Sequence, residues 1–469
     1  MKLTGKQKAA FGIGAIGKDM VYALSASYVM YYYQDIIGLS PTFVGLILMV
    51  ARVFDAFNDP FMGILVAKTK TRWGRFRPYL VSGTVLNAFV LYALFAAPSS
   101  GSGNSGSTAV MVYFSVVYIL WGMTYTMMDI PYWSMIPAIT DTPADTENLS
   151  VIGRTCAGVG SAIIAMLTVL SVKMLGAGSE RVGFRRFALI VSVIFIITEI
   201  ICAVSVKEKD TEMKTATIGE MFRALFSNDQ AIVVVLAIVL VNSALYLTSN
   251  LIIYFFKYDV GGTNWQGTYT LFSAVGGAFQ ILGMMIGYPI VRRKHTNTAI
   301  FKQALFAAIF GYLLILTMCL TGLSSNVFLL FIPGAIVFAC NGILTVLTTV
   351  FLSNSVDYGE IKTGHREESV IFSMQTFVVK LASGVSVFIT GIGLDLIGLV
   401  GNSDAESVVA QQSESTLVGL RLLMTIMPTL VLIAAAVFFS RKFKLTDEIV
   451  LENARKLKEK NRAAAENAR

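Results

Sequence analysis

The chain has 469 residues, of which 55% are hydrophobic and only 14% charged, with a formal net charge of +8. Soluble domains carry roughly 25% charged residues. Too little charge is therefore present to cover a water-facing surface, which excludes a soluble enzyme, a secreted disulfide scaffold and a disordered regulator. Cys156, Cys202, Cys319 and Cys340 all sit in apolar runs, and His295 and His365 lie far apart in short polar segments. Neither disulfide bridges nor a histidine metal site is expected.

Crossing about 30 Å of hydrocarbon takes roughly 20 apolar residues in a helix. Twelve stretches meet that requirement: 9–37, 40–67, 78–98, 108–137, 148–174, 186–206, 229–257, 265–291, 298–321, 326–355, 365–398 and 415–440. None alternates with period two, so a β-barrel is not expected. The first stretch follows Lys2, Lys6 and Lys8 but contains Lys18 and Asp19 and shows no cleavage pattern, so it reads as a span and not as a signal peptide. The second carries Arg52, Asp55 and Asp59, and ends in the basic run Lys68-Thr-Lys-Thr-Arg72-Trp-Gly-Arg75-Phe-Arg77. A Gly/Ser-rich outer loop at 101–108 precedes the fourth stretch, which carries Asp129; the fifth carries Arg154. Residues 207–228 are the longest polar interruption. In the second half, Lys380 and Asp395 stand in the eleventh stretch, and a charged tail follows the twelfth.

Most of the 37 lysines and arginines fall before the first span, in the even-to-odd connections and in the tail. That bias places both termini in the cytoplasm, with a cluster at 181–186 as the exception. The predicted organisation is an N-terminal six-helix bundle over 1–206, a cytoplasmic middle loop at 207–228, a C-terminal six-helix bundle over 229–440 and a cytoplasmic tail at 441–469. Joints in the two halves echo each other: Glu147-Asn-Leu-Ser-Val-Ile follows the fourth span, and Glu367-Glu-Ser-Val-Ile follows the tenth. Such echoes suit halves that rock about a midplane site.

A charge at the bilayer centre costs some 2.5–3.5 kcal/mol on insertion scales, so intramembrane charges need an internal partner or an aqueous cavity. Asp55, Asn58 and Asp59 fall on one helical face. Two carboxylates and an amide oxygen within one turn offer hard ligands to a small alkali cation, or a place for a proton. The plainer alternative is a salt-bridge cluster with Arg52 and Arg154 that only holds helices together. Thr126, Asp129 and Trp133 likewise share one face. A carboxylate beside an indole suits a sugar, the acid accepting from hydroxyls and the ring stacking on the apolar sugar face; an interfacial or core aromatic is the alternative for Trp133. Lys380, one turn after Thr376, is placed to reach from the second half towards the acidic first half.

Several long stretches resemble the glycoside–pentoside–hexuronide:cation symporter family of the major facilitator superfamily, and in particular its melibiose carriers. They are Phe11-Gly-Ile-Gly-Ala-Ile-Gly-Lys18-Asp19, Ala51-Arg52-Val-Phe-Asp55-Ala-Phe-Asn58-Asp59-Pro60, Tyr118 through Trp133, Val356-Asp357-Tyr-Gly-Glu360, and Gln375-Thr376 with Lys380. The resemblance implies an all-α integral membrane protein with the major facilitator fold, in which twelve transmembrane helices form two pseudo-symmetric halves. It implies that Asp55, Asn58, Asp59 and Thr126 form a site for Na+, Li+ or H+. It further implies that Lys18, Asp19, Asp129, Trp133, Arg154 and Lys380 surround a galactosyl-like group with Gln375 and Thr376 nearby, and that Arg72, Arg75 and Arg77 help close the inner face. Two departures stand out: Thr345 occupies the position of a family tryptophan, and 141–147 lacks the family's basic residues.

The expectation is a bacterial, multi-pass protein of the cytoplasmic membrane, working as a monomer. It would couple glycoside uptake to inward movement of Na+ or H+ by alternating access, with no resident cofactor and no nucleic-acid partner. The alternative on the same fold is a carrier of lysolipids or other amphiphiles. An intramembrane enzyme would need a nucleophile–base or metal constellation, which the spans lack.

Overall fold

The computed structural model describes residues 4–98, 108–140, 143–206, 218–363, 368–401, 410–453, 455–456 and 459. The outer loop at 101–108 thus lies almost wholly outside the described residues, as do the first half of the middle loop and the end of the tail. Every regular element among the described residues is helical. Ten helices are long and apolar enough to cross a membrane: Pro41–Gly63, Thr108–Ser134, Asn148–Leu175, Glu180–Ser205, Asp229–Val260, Gly262–Arg292, Asn297–Leu320, Val327–Lys362, Met374–Leu396 and Glu414–Lys442. The two remaining expected spans are helical as well. Gly5–Tyr31 carries Lys18 and Asp19 at its centre, and Arg77–Leu94 has only 18 residues. Ile218–Ser227 adds a short helix within the segment expected to be a loop.

Local chemistry explains the starts of these elements. Thr4 and Gln7 form a reciprocal capping box ahead of the first helix. Ser40 caps the next, with Pro41 in the first turn, where its missing N–H costs nothing. The carboxylate of Asp395 completes that helix start, accepting from Thr42 N and Ser40 Oγ at 2.9 Å each. The exceptional outer arginines have a similar explanation. Arg181 donates to the Ala97 carbonyl at 2.6 Å and Arg186 to that of Leu175 at 2.7 Å. They satisfy carbonyls at the end of one helix and just beyond the end of another, a local role that overrides the topological bias.

The chain divides into two compact units. The first comprises Met1–Thr215 with Phe256–Ala274 and Val387–Leu417. In it Gly5–Tyr31 packs mainly on Pro143–Leu175 and Glu180–Ser205, while Thr108–Ser134 packs on Pro41–Lys68 and Arg77–Leu94. Glycine allows the closest of these approaches, since a Cβ on Gly160 would collide with the backbone carbonyl of Ile16. The second unit comprises Ala216–Phe255, Val275–Ser386 and Val418–Arg469. There Phe331–Thr363 packs on Asn297–Leu320 and Asp229–Tyr254. Asn228 both caps the latter helix and donates to the Ser355 carbonyl at 2.7 Å.

Candidate functional site

One stripe of the Thr108–Ser134 helix organises the polar interior of the first unit. Gly122, Thr126, Asp129 and Trp133 follow at intervals of four, three and four residues, so they point the same way. Gly122 lies against Asp55, where an added Cβ would sit 2.5 Å from Oδ1. One turn on, Thr126 Oγ1 donates to Asp59 Oδ1 at 3.1 Å. The Arg52 guanidinium is 3.9 Å from Asp55 Oδ2 and rests 5.3 Å from the centroid of the Tyr22 ring. Arg52 and Asp55 are buried, whereas Asn58 and Asp59 are half-buried on the same face. The structure thus sets Thr126 against Asp59 and Gly122 against Asp55, with Asn58 on the same turn as the two carboxylates.

The next turn of the stripe carries the second cluster. The Lys18 ammonium, 2% exposed, donates to Asp129 Oδ1 at 2.6 Å and lies 3.1 Å from Asp19 Oδ2 and 3.4 Å from the Tyr125 hydroxyl. Trp133 Nε1 donates to the same Asp129 oxygen at 3.1 Å, which fixes the carboxylate between indole and ammonium. Over the Trp133 ring, the Arg154 guanidinium stands 4.2 Å and the Lys18 ammonium 4.8 Å from the centroid. Lys18, Asp19, Asp129, Trp133 and Arg154 therefore meet in one place. The side chains of Asp19 and Asp129 keep 18% and 20% of their surface open, so both carboxylates are accessible to a small polar molecule.

Gln375, Thr376 and Lys380 lie on the Glu368–Leu396 helix in the part belonging to the second unit. Gln375 and Lys380 are half-buried and Thr376 is exposed. Thr345, in the same unit, returns its hydroxyl to the Asn341 carbonyl at 2.8 Å. Of the basic-loop residues, Arg72 is exposed, Arg75 is half-buried and Arg77 donates through Nη2 to the Val206 carbonyl.

Two features escape a reading of the sequence. Glu199, in the Glu180–Ser205 helix, is 1% exposed and faces Lys18, Asp19 and Asp129. Its position six residues before the helix end reads as interfacial, and only the packing reveals otherwise. A second buried ion pair joins Lys257 to Asp35 at 2.6 Å, with Tyr31 accepting from Lys257 at 2.7 Å and Glu180 at 3.6 Å. The partners are too far apart in sequence for spacing to signal them.

Comparison with known proteins gives this geometry its context. Residues 10–447 match the model of the MFS/sugar transport protein family. The chain belongs to that family, which makes it a multi-pass membrane transporter and not an enzyme. Among curated relatives, the raffinose carrier protein of Pediococcus pentosaceus is 25% identical over 93% of this chain and 69% of its own length. The isoprimeverose transporter of Lactiplantibacillus pentosus is 28% identical over 84% and 81%, respectively. The symporter YjmB of Bacillus subtilis is 27% identical over 95% and 94%. These relatives lie within the glycoside–pentoside–hexuronide:cation symporter group, and their bacterial sources fit a bacterial cell membrane. Among solved structures, a bacterial homologue of the human lysosomal transporter Spinster aligns with a TM-score of 0.63 at 14% identity, covering 96% of this chain and 97% of that one. At that identity the likeness is one of fold.

Proposed function

We propose that this protein is a symporter that couples uptake of a glycoside to inward movement of Na+ or H+. The observation that carries the reading is the single stripe Gly122–Thr126–Asp129–Trp133, which faces the Asp55–Asp59 pair at one end and the Lys18–Asp19–Asp129 cluster at the other. In this reading Asp55 and Asp59, with Asn58 and Thr126, receive the coupling cation as a co-substrate. Asp19 and Asp129 accept sugar hydroxyls, Trp133 lies against the ring, Arg154 and Lys380 donate, and Lys18 completes the site. Gln375, Thr376 and Lys380 contribute from the second half of a twelve-helix, six-plus-six arrangement with cytoplasmic termini, and Arg72, Arg75 and Arg77 serve the inner closure. The working unit is a monomer.

Coupling follows from the helix itself. A cation drawing on Asp59 alters the bond from Thr126, and Asp129 is one turn further along the same rigid element. Whatever the cation does to sugar affinity, the sugar does equally to cation affinity. Lys18 is bonded to Asp129 at 2.6 Å, so an arriving hydroxyl competes with an internal donor and binding is selective for groups that replace that bond well. A lysolipid or other amphiphile as cargo is disfavoured by the charged character of the cluster and by relatives named for sugars.

The test is uptake into proteoliposomes of a labelled panel of α- and β-galactosides, β-xylosides and a glucuronide, with and without an inward sodium gradient. Sodium-stimulated accumulation of one member is expected. Accumulation driven only by a proton gradient assigns the Asp55–Asp59 pair to protons. No uptake of any glycoside under either gradient overturns the sugar reading.

A further inference from the structure

Glu199 is the only glutamate among the described buried residues. Both of its carboxyl oxygens are sealed from solvent and neither has a hydrogen-bond partner. An ionised carboxylate in that position would carry an uncompensated charge in a medium that cannot solvate it. The groups facing it come from several elements. Lys18 and Asp19 stand on the first helix. Tyr125, Asp129 and Tyr132 stand on Thr108–Ser134, and Cys202 lies one turn along its own helix. Beyond these, Arg77 acts on Cys202, and Cys156, on Pro143–Leu175, acts on Tyr132. Lys18 faces Glu199 but is already engaged by Asp129 at 2.6 Å and Asp19 at 3.1 Å.

We propose that Glu199 is a proton-binding residue of the sugar site, distinct from the Asp55–Asp59 cation pair: it holds a proton while Lys18 is bound to Asp129, and gives it up when a sugar displaces Lys18 towards it. The proton neutralises the one carboxylate that Lys18 and Arg154 leave in excess among Asp19, Asp129 and Glu199. On release, the Glu199 O–H bond breaks and its proton passes to pocket water, while the Lys18 ammonium keeps its own protons and donates to the new carboxylate. The sugar-linked half of this cycle rests on the proposed function. Protonation of Glu199 in the sugar-free protein does not, because it depends on the sealed, donor-free position of its carboxyl oxygens.

The deciding experiment is an infrared pH titration of the purified full chain without sugar, following the C=O stretch of protonated carboxyl groups. A band present at neutral pH is expected, shifted by 13C labelling of glutamate and lost in Glu199→Gln. Isotope labelling of the unmutated chain gives the assignment even if the variant fails to fold. A neutral-pH spectrum with no glutamate C=O band means that Glu199 is ionised and overturns the proposal. Adding an α-galactoside, a β-galactoside and a β-xyloside in turn should then remove the band and acidify a weakly buffered solution, with both changes absent in Glu199→Gln. A sugar that binds without moving the band defeats the release step. If none of the sugars binds, the function reading fails, while the sugar-free spectrum still decides the protonation of Glu199.

Discussion

The first helix and its π-helical extension at Tyr32–Ile36 carry or contact two buried lysine clusters built from nearly the same parts. Lys18 meets Asp129 at 2.6 Å, Asp19 at 3.1 Å and Tyr125 at 3.4 Å. Lys257 meets Asp35 at 2.6 Å, Tyr31 at 2.7 Å and Glu180 at 3.6 Å. The difference lies in what is left over. Asp35 has no exposed surface, and its other oxygen accepts from the Tyr258 hydroxyl, while Tyr31 donates to Glu180 at 2.6 Å. Each of those groups is matched, and nothing remains for a ligand. Around Lys18, two carboxylates stay about a fifth exposed and the carboxyl oxygens of Glu199 find no donor. Buried polar groups are normally satisfied, so the open carboxylates and the donor-free Glu199 single out the Lys18 cluster, and not the Asp35–Lys257 one, as the proposed binding site.

The largest effect is expected at the saturated cluster. Asp35→Asn or Lys257→Met leaves an opposite charge buried without its partner, which typically costs about 3–5 kcal/mol. Thermal unfolding in detergent should show that loss for each single variant. Asp35→Leu with Lys257→Met should cost much less than the two singles combined, because no charge is then stranded. Single variants as stable as the parent would mean that this cluster is not structural.

At the open cluster the expected effect moves from stability to binding. Asp129→Asn removes a charge-assisted acceptor worth about 1.5–3 kcal/mol, so sugar affinity should fall roughly ten- to a hundredfold. The accompanying loss of thermal stability should be smaller than that of Asp35→Asn, since partly open groups recover hydration. An unchanged sugar affinity in titration calorimetry would remove Asp129 from the site. Smaller still is the effect of Asp395→Ala, which deletes two bonds at the start of Pro41–Lys68 and should cost about 1 kcal/mol, read as a lower unfolding midpoint with sugar binding retained.

How much of this was legible beforehand depends on sequence distance. Asp55 with Asp59, and Thr126 with Asp129 and Trp133, are neighbours by helical periodicity alone, and the structure brings these groups together accordingly. The spans were legible too, because apolar runs of sufficient length have few alternatives. The bond between Thr126 and Asp59 crosses helices, and no spacing rule specifies it. Glu199 and the Asp35–Lys257 pair were invisible for the same reason: their burial is created by elements far away in the chain. Arg181 and Arg186 show the converse. Their charge contradicted the topological pattern until the carbonyls they satisfy were seen.

In the proposed function one helix joins two sites with separable tasks, the cation at Asp55–Asp59 and the sugar at Lys18–Asp19–Asp129. The most direct test measures two activities in parallel in proteoliposomes holding the unmutated protein, Asp59→Cys or Asp129→Asn: gradient-driven accumulation of the transported glycoside, and its exchange at equal concentrations across the membrane. Asp59→Cys should lose accumulation while keeping part of the exchange, and Asp129→Asn should lose both. Full accumulation by Asp59→Cys, or undiminished exchange by Asp129→Asn, would contradict the account.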